Sequence, residues 1–231
     1  MDGLVRPRSL DHVALWVADR DPLADFLCGH LGMHVIERSD SFTLVGVDAK
    51  LGKLTLFDEV GPRQRGVLER VTLRVSDLES VLAGLPADAR ARHAGARAAR
   101  LEAPGGLPLG LVEAGGGVDF DLDHVVLRVR DPERAARELA ALGFSRRDGR
   151  LEVADRWLTL EQGPASEGRR PLLNHLALLV DSAENVRAEA ERRGLEVADV
   201  VDAPNTLAVF LWGPEHIKLE YVEHKPGFAL T

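Results

Sequence analysis

LDHVALWVAD occupies residues 10–19 and LDHVVLRVRD occupies residues 122–131. Two nearly identical phrases in one chain of 231 residues mark an internal duplication, which decides how everything else is read. Two weaker copies, LERVTLRVSD at 68–77 and LNHLALLVDS at 173–182, make the repeat fourfold. Each phrase alternates apolar and other residues with period two, as a half-buried strand does. Each then runs into a helical stretch: DPLADFLCGHLG from Asp21, DLESVLAGL from Asp77, DPERAARELAALG from Asp131 and DSAENVRAEAERRG from Asp181. The Asp or Ser at each junction is a candidate N-cap, and Gly32, Gly143 and Gly194 are candidate helix stops. Short strand-like runs follow, the last in each unit being KLTLF, LPLGLVE, WLTLEQ and IKLEYVE.

The repeating unit is therefore β-α-β-β-β. The expected fold class is α+β, with four βαβββ modules paired into two half-barrel domains. Pairing of neighbours predicts an N-terminal domain over 1–116 and a C-terminal domain over 117–231. The glycine-rich EAGGGVDF at 113–120 would join them, and QGPASEGRRPLLN at 162–174 would join units three and four. Unit two reads as degenerate, with the irregular ARARHAGARAARLEAPGG in place of clean strands. Its basic stretch at 89–100 carries no interleaved aromatic residue and reads as a solvated loop.

Composition narrows the function classes. A hydrophobic content of 45% and a charged content of 29% suit a soluble globular protein. The net charge of −8 argues against a nucleic-acid partner. The single cysteine, Cys28, excludes an intramolecular disulfide, fits a reducing compartment and reads as a small core residue. No stretch reaches the ~18 apolar residues of a membrane span. A cytoplasmic protein without membrane contact, monomeric or homodimeric, is expected.

Alternation assigns the faces of the strands. In unit three Val125, Leu127 and Val129 pack under the helix, so His124, Val126 and Arg128 face the cavity. Unit four buries Leu176, Leu178 and Val180 and turns His175 and Ala177 inward. Its last strand buries Ile217, Leu219 and Tyr221 and points Lys218, Glu220 and Val222 inward. The last strand of unit three leaves Trp157, Thr159 and Glu161 inside. A buried carboxylate beside two imidazoles calls for a compensating cation, and two histidines with a carboxylate form the facial set of a divalent metal. His124, His175 and Glu220 are the expected ligands, and the cavity is a small-molecule site. The first half has His12, Phe57, Arg70 and Gly110 at the positions of His124, Glu161, His175 and Glu220, so no metal is expected there. Arg70 and Arg74 face that cavity, as an anion site or as scaffold. Trp16 and Trp157 face one cavity each. His30 and His34 suit a helix end, His93 falls in the basic stretch, and His216 lies in the turn before the last strand.

The LDHV phrases, the helix ending FLCGHLGMHV, the repeat and the closing GPEHIKLEYVE resemble the vicinal oxygen chelate superfamily. That superfamily includes glyoxalase I, bleomycin-resistance proteins and type I extradiol dioxygenases. The resemblance implies a metal-dependent enzyme acting on a small molecule with vicinal oxygens. Its four-unit layout is most like an extradiol ring-cleaving dioxygenase, with Fe(II) the expected ion and Mn(II), Zn(II) or Ni(II) as others. Phe210 stands where such dioxygenases have a tyrosine, and their acid-base histidine near Leu160 is lacking. His216 or His224 is left to move protons. One alternative is a glyoxalase-type lyase or isomerase using Glu161 as fourth ligand or base beside Glu220. Another is a non-catalytic, bleomycin-resistance-like binding protein. Some hydroquinone-cleaving relatives pair unit one with unit four, which would make His12, His175 and Glu220 the ligands and His124 a spectator.

Overall fold

A computed structural model describes residues 3–47, 52–115, 119–164, 169–226 and 228. Module one contains β1 (Ser9–Val17), α1 (Arg20–His30), β2 (His34–Arg38), β3 (Thr43–Gly46) and β4 (Lys53–Asp58). Module two contains β5 (Leu68–Val75), α2 (Leu78–Ala83), β6 (Arg92–Gly95), β7 (Ala98–Ala103) and β8 (Leu107–Glu113). Module three contains β9 (Phe120–Val129), α3 (Pro132–Ala141), β10 (Ser145–Arg147), β11 (Arg150–Val153) and β12 (Arg156–Gln162). Module four contains β13 (Leu173–Leu179), α4 (Ala183–Arg192), β14 (Val197–Asp202), β15 (Thr206–Trp212) and β16 (Lys218–His224). All four modules have the βαβββ order.

The helix boundaries follow from local chemistry. Asp77, Asp131 and Ser182 each accept a backbone N–H three residues on, from Ser80, Arg134 and Asn185. This is the N-cap geometry expected of those side chains. The first helix is capped by Asp19, which accepts from the Asp21 N–H. Gly143 sits at φ 116°, where a Cβ would approach the Val5 carbonyl oxygen to 2.8 Å. Only glycine fits both constraints.

Module two is complete rather than degenerate. Its basic stretch is the β6–β7 hairpin, not a loop, with Gly95 in the turn region at φ 150°. In β7 the buried residues Ala99, Leu101 and Ala103 alternate with exposed Arg100 and Glu102. Small apolar residues among arginines hide this period-two signal from a composition-based reading.

The expected pairing of neighbouring modules is corrected. Module one joins module four in a sheet of order β14-β15-β16-β13-β1-β4-β3-β2. Module two joins module three in a sheet of order β10-β11-β12-β9-β5-β8-β7-β6. Each joint is an antiparallel pair of first strands, β1 with β13 and β5 with β9. The expected division at residue 116 therefore does not separate the two sheets. Alternation fixes which face of a strand is apolar, but four similar first strands offer four acceptable partners, so alternation cannot select among them. Residues 116–118 of the expected linker and 165–168 of the second connection lie outside the described residues.

The face assignments agree with the structure. Val125, Leu127, Val129, Leu158, Leu176, Leu178, Leu219 and Tyr221 are all fully buried in one core that spans both sheets. The Tyr221 hydroxyl donates to the Leu142 carbonyl oxygen at the end of α3, 2.6 Å away, which occupies it structurally. Among the described residues no helix is long and apolar enough to cross a membrane.

Candidate metal centre

A β-bulge interrupts the first strand of each module. The register of β1 against β13 shifts between Leu10 and His12 and again between Ala14 and Leu15, opposite Asn174. The register of β5 against β9 shifts between Leu68 and Arg70 and again opposite Asp123. Asp11, Glu69, Asp123 and Asn174 are thus the extra residues, each just before a cavity-facing side chain. A bulge sets two residues against one and re-aims their side chains. At three of the four sites the extra residue bonds the imidazole that follows. His12 Nδ1 donates to Asp11 Oδ2 at 2.9 Å, His124 Nδ1 to Asp123 Oδ1 at 2.6 Å, and His175 Nδ1 to Asn174 Oδ1 at 3.1 Å. Fixing Nδ1–H in this way leaves Nε2 as the nitrogen presented to the cavity.

In the sheet built from modules one and four these nitrogens meet a carboxylate. His12 Nε2 is 3.2 Å from His175 Nε2 and 3.3 Å from Glu220 Oε2. His175 Nε2 is 2.7 Å from Glu220 Oε2. The three ligand atoms lie within 4.8 Å of one another, and the side chains of His175 and Glu220 are less than a tenth exposed. Two imidazole nitrogens and one carboxylate oxygen, each ring oriented by its neighbour, fit a divalent ion.

The position that would bring a fourth ligand, facing the trio from β4, is Phe57. Its ring centroid lies 6.4 Å from His175, and Phe210 lies 5.3 Å from His175 on the other side. Phe42 and Trp16 pack against Phe57 at 6.0 and 5.4 Å. The donor set is therefore three groups with an aromatic wall beside them. A cleft of about 890 Å³ is lined by Trp16, Leu173, Asn174 and Lys218, on the three strands that carry the trio, and by Trp212 of β15, but by none of the trio itself.

Behind His12 lies a buried polar group that sequence reading does not assign. Asp11 accepts from Lys53 Nζ at 2.8 Å and lies 3.4 Å from His224 Nε2, and Lys53 is 2% exposed. Burial favours the neutral acid, yet the hydrogen bonds from His12 and His224 and the Lys53 charge hold Asp11 well below its ordinary range. The Asp of LDHV was the available signal, because it precedes the histidine in both strong copies.

The charges of the trio are coupled. Burial opposes a proton on His12, but Glu220 and Asp11 outweigh it and raise the imidazole to about 9. Burial lowers His175 beyond what Glu220 restores. Glu220, which burial alone would push up, is held down by His12 and His175. Without an ion, His12 therefore carries a proton at neutral pH. A divalent ion bound through His12 would have to displace that proton, so its affinity is expected to rise with pH by about tenfold per unit until near pH 9. Competition titrations of Mn(II) or Zn(II) between pH 6.5 and 8.5 check this. A flat profile would show that His12 is not a ligand.

The remaining expected site residues fall elsewhere. His124 and Glu161 belong to the other sheet and do not join His175 and Glu220, because module three pairs with module two. His124 stacks on Trp157 at 4.9 Å, and Glu161 lies 3.7 Å from Arg70 and 3.8 Å from Arg128. Gly110 stands where Glu220 stands in the first sheet, and a Cβ there would meet Thr72 Oγ1 at 2.7 Å. His216 is exposed in the turn Pro214–His216, at the rim of the cleft beside Trp212, and not in the trio.

Residues 9–100 match the family model described as Glyoxalase/Bleomycin resistance protein/Dioxygenase superfamily. No curated protein sequence matches the chain. Among solved structures, a "putative dioxygenase" from Bacillus subtilis is 18% identical, with a TM-score of 0.76 over 97% of this chain and 88% of its own. Glyoxalase I from Zea mays is 17% identical, with a TM-score of 0.73 over 93% of this chain and 92% of its own. The cppA protein from Streptococcus pneumoniae is 16% identical, with a TM-score of 0.62 over 92% and 96%. At these identities the likeness is one of fold. Over residues 9–100 the chain is thus similar to the glyoxalase, bleomycin-resistance and dioxygenase superfamily, and over nearly its whole length it shares the fold of these solved structures.

Proposed function

We propose that this chain is a metal-dependent ring-cleaving dioxygenase, with a catechol or hydroquinone as substrate. The observation that carries this reading is Phe57: it limits the protein to three ligands, His12, His175 and Glu220, and adds an aromatic wall. When bound there, Fe(II) supplies Lewis acidity and redox chemistry toward dioxygen. His12 and His175 present Nε2 because Asp11 and Asn174 occupy their other nitrogens. Phe42, Phe57 and Phe210 exclude water beside the trio and offer faces to an aromatic ring. The glyoxalase-type alternative loses its second glutamate, since Glu161 faces Arg70 in the other sheet. A purely binding role gives no reason to bury the carboxylate of Glu220 between two imidazoles.

Lys218 points to an anionic group on the substrate. It lies two residues before Glu220 on β16, and its Nζ is 5.2 Å from the Phe210 ring and 5.9 Å from Trp212. Among the described residues it has no carboxylate partner. Lys218→Met is expected to raise KM for a carboxylated substrate roughly ten- to a hundredfold, the loss of one charge-assisted hydrogen bond. Metal content and turnover of the uncharged parent should stay near wild type, which steady-state kinetics on both compounds will check.

The reading itself is tested by oxygen uptake. Anaerobically Fe(II)-loaded protein should consume one O₂ per ring opened with catechol, hydroquinone or their carboxylated analogues. Loaded protein that takes up no oxygen with any of them would refute it.

A further inference from the structure

The second sheet has kept the architecture of the centre and changed its chemistry. Position for position, His12, Phe57, His175 and Glu220 become His124, Glu161, Arg70 and Gly110. His124 is already committed, donating to Asp123 and stacked on Trp157, whose ring also meets the Arg150 guanidinium at 4.3 Å. Arg70 is not. Its side chain is only 17% exposed, its nearest carboxylate is Glu161 at 3.7 Å, and it makes no hydrogen bond among the described residues. A guanidinium has five donors in a planar fork, and leaving them unmatched in a half-buried site is costly.

What surrounds Arg70 is more positive charge. A cavity of about 230 Å³ is lined by Arg65, Arg70, Arg90, Arg92 and Arg100, over a floor that includes Leu101, Pro108 and Leu109. Arginines outnumber glutamates there five to two, in a chain whose net charge is −8. The two glutamates do not neutralise the site. Glu69 is taken by Arg128 at 2.8 Å, and Glu102 reaches Arg65 only at 3.8 Å. Arg90, Arg92 and Arg100 have no carboxylate partner among the described residues. Arg90 is held at φ 48°, a conformation disfavoured for a side chain of its size. Burial and the charge of Arg100 both pull the Arg70 guanidinium below its ordinary value. Like charges gathered in a concavity raise the local concentration of counter-ions.

From this arrangement we infer that the concave face of the second sheet is a binding site for a compact multivalent anion. The ligand carries either several carboxylates or a phosphate group, held by Arg70 and Arg100 with Arg90 and Arg92 at the mouth. The cavity is too small for a polymer, and the acidic chain around it disfavours a nucleic acid. Its ligand is a small molecule, separate from the substrate of the metal centre. Arginine forks pair with carboxylate and phosphate oxygens two at a time, so the two chemistries share one site.

Isothermal titration with citrate and with inorganic pyrophosphate, at low ionic strength, tests this on four proteins: wild type, Arg70→Gln, Arg100→Gln and His12→Ala. One saturable site per chain is expected for at least one probe, with a Kd below about 1 mM. Binding should weaken tenfold or more in Arg70→Gln and in Arg100→Gln, and stay unchanged in His12→Ala. The stronger probe tells whether carboxylate or phosphate chemistry is preferred. Arg100 is exposed, so its variant carries the test if Arg70→Gln folds poorly. Absence of saturable binding by both probes would overturn the inference. So would binding that is indifferent to both arginine variants, or binding lost with His12→Ala, which would place the anion at the metal centre.

Discussion

His12→Ala should strip the protein of its metal, while His124→Ala should keep it. Each histidine sits third in the same phrase, follows the same bulged Asp and donates Nδ1 to that Asp. What differs is the partner strand. β1 lies against β13 and places His12 Nε2 within 3.3 Å of both His175 and Glu220. β9 lies against β5 and places His124 opposite Thr72. Removing one of three ligands costs more than the 10- to 100-fold typical of an outer partner, so affinity for Mn(II) or Fe(II) should fall by at least about 100-fold. His124→Ala should bind metal within about threefold of wild type, a margin well under the outer-partner effect. Metal analysis after gel filtration, beside competition titration, reads both variants. Retention of metal by His12→Ala together with its loss in His124→Ala would mean that modules three and four pair in solution, against the sheet order seen here.

The second large effect concerns stability. Lys53→Met should destabilise the fold by about 3 kcal/mol, the lower end of the range for breaking a buried ion pair. Lys53 Nζ lies 3.0 and 2.8 Å from the two oxygens of Asp11, and both side chains are almost wholly buried. Taking the ammonium away leaves the carboxylate in the core with His12 and His224 as its remaining donors, which keeps the loss from being larger. Replacing both partners, as Asp11→Val with Lys53→Met, removes the buried charge altogether and should recover most of the stability. It should not recover the metal. Without Asp11 the His12 ring loses the acceptor that orients it, and metal affinity should drop 10- to 100-fold. Urea unfolding of Lys53→Met, the double variant and the wild type gives the stability changes. A single variant within about 1 kcal/mol of wild type would show that the Lys53–Asp11 contact is dispensable.

The strands, their faces and the fourfold repeat were legible because period-two alternation is a local property. Val125, Leu127 and Val129, or Leu219 and Tyr221, reveal their side of the sheet without reference to any other segment. Two of the three clustered residues proposed as ligands, His175 and Glu220, were legible for the same reason, being on adjacent parallel strands of one module. The third was ambiguous between His12 and His124 because the choice depends on which first strands meet across more than a hundred residues. A trace of that choice existed in the side chains. Arg70 and Glu161 stand where His175 and Phe57 stand in the first sheet, 3.7 Å apart without a hydrogen bond, and Gly110 stands where Glu220 supplies a carboxylate. The β6–β7 hairpin was hidden for a different reason, since alanines supply too little hydrophobic contrast to mark a strand among arginines. The bulges were invisible too. They show only in register, yet they explain why an acidic or amide residue precedes each inward side chain.

The nested order of the modules also sets a clock. Modules two and three are adjacent in the chain and can close their sheet as soon as residue 162 has emerged from the ribosome. Module one cannot follow suit, because its partner is made last and His175 lies 163 residues after His12. At typical synthesis rates of ~5–20 residues per second, β1 waits roughly 8 to 33 s for β13. During that interval its hydrogen-bonding edge is open, and the module four of an older chain nearby is as good a match as its own. A swapped pair, with His12 from one chain facing His175 and Glu220 of another, is thus the error this topology invites, and a low concentration of nascent chains is the condition that suppresses it.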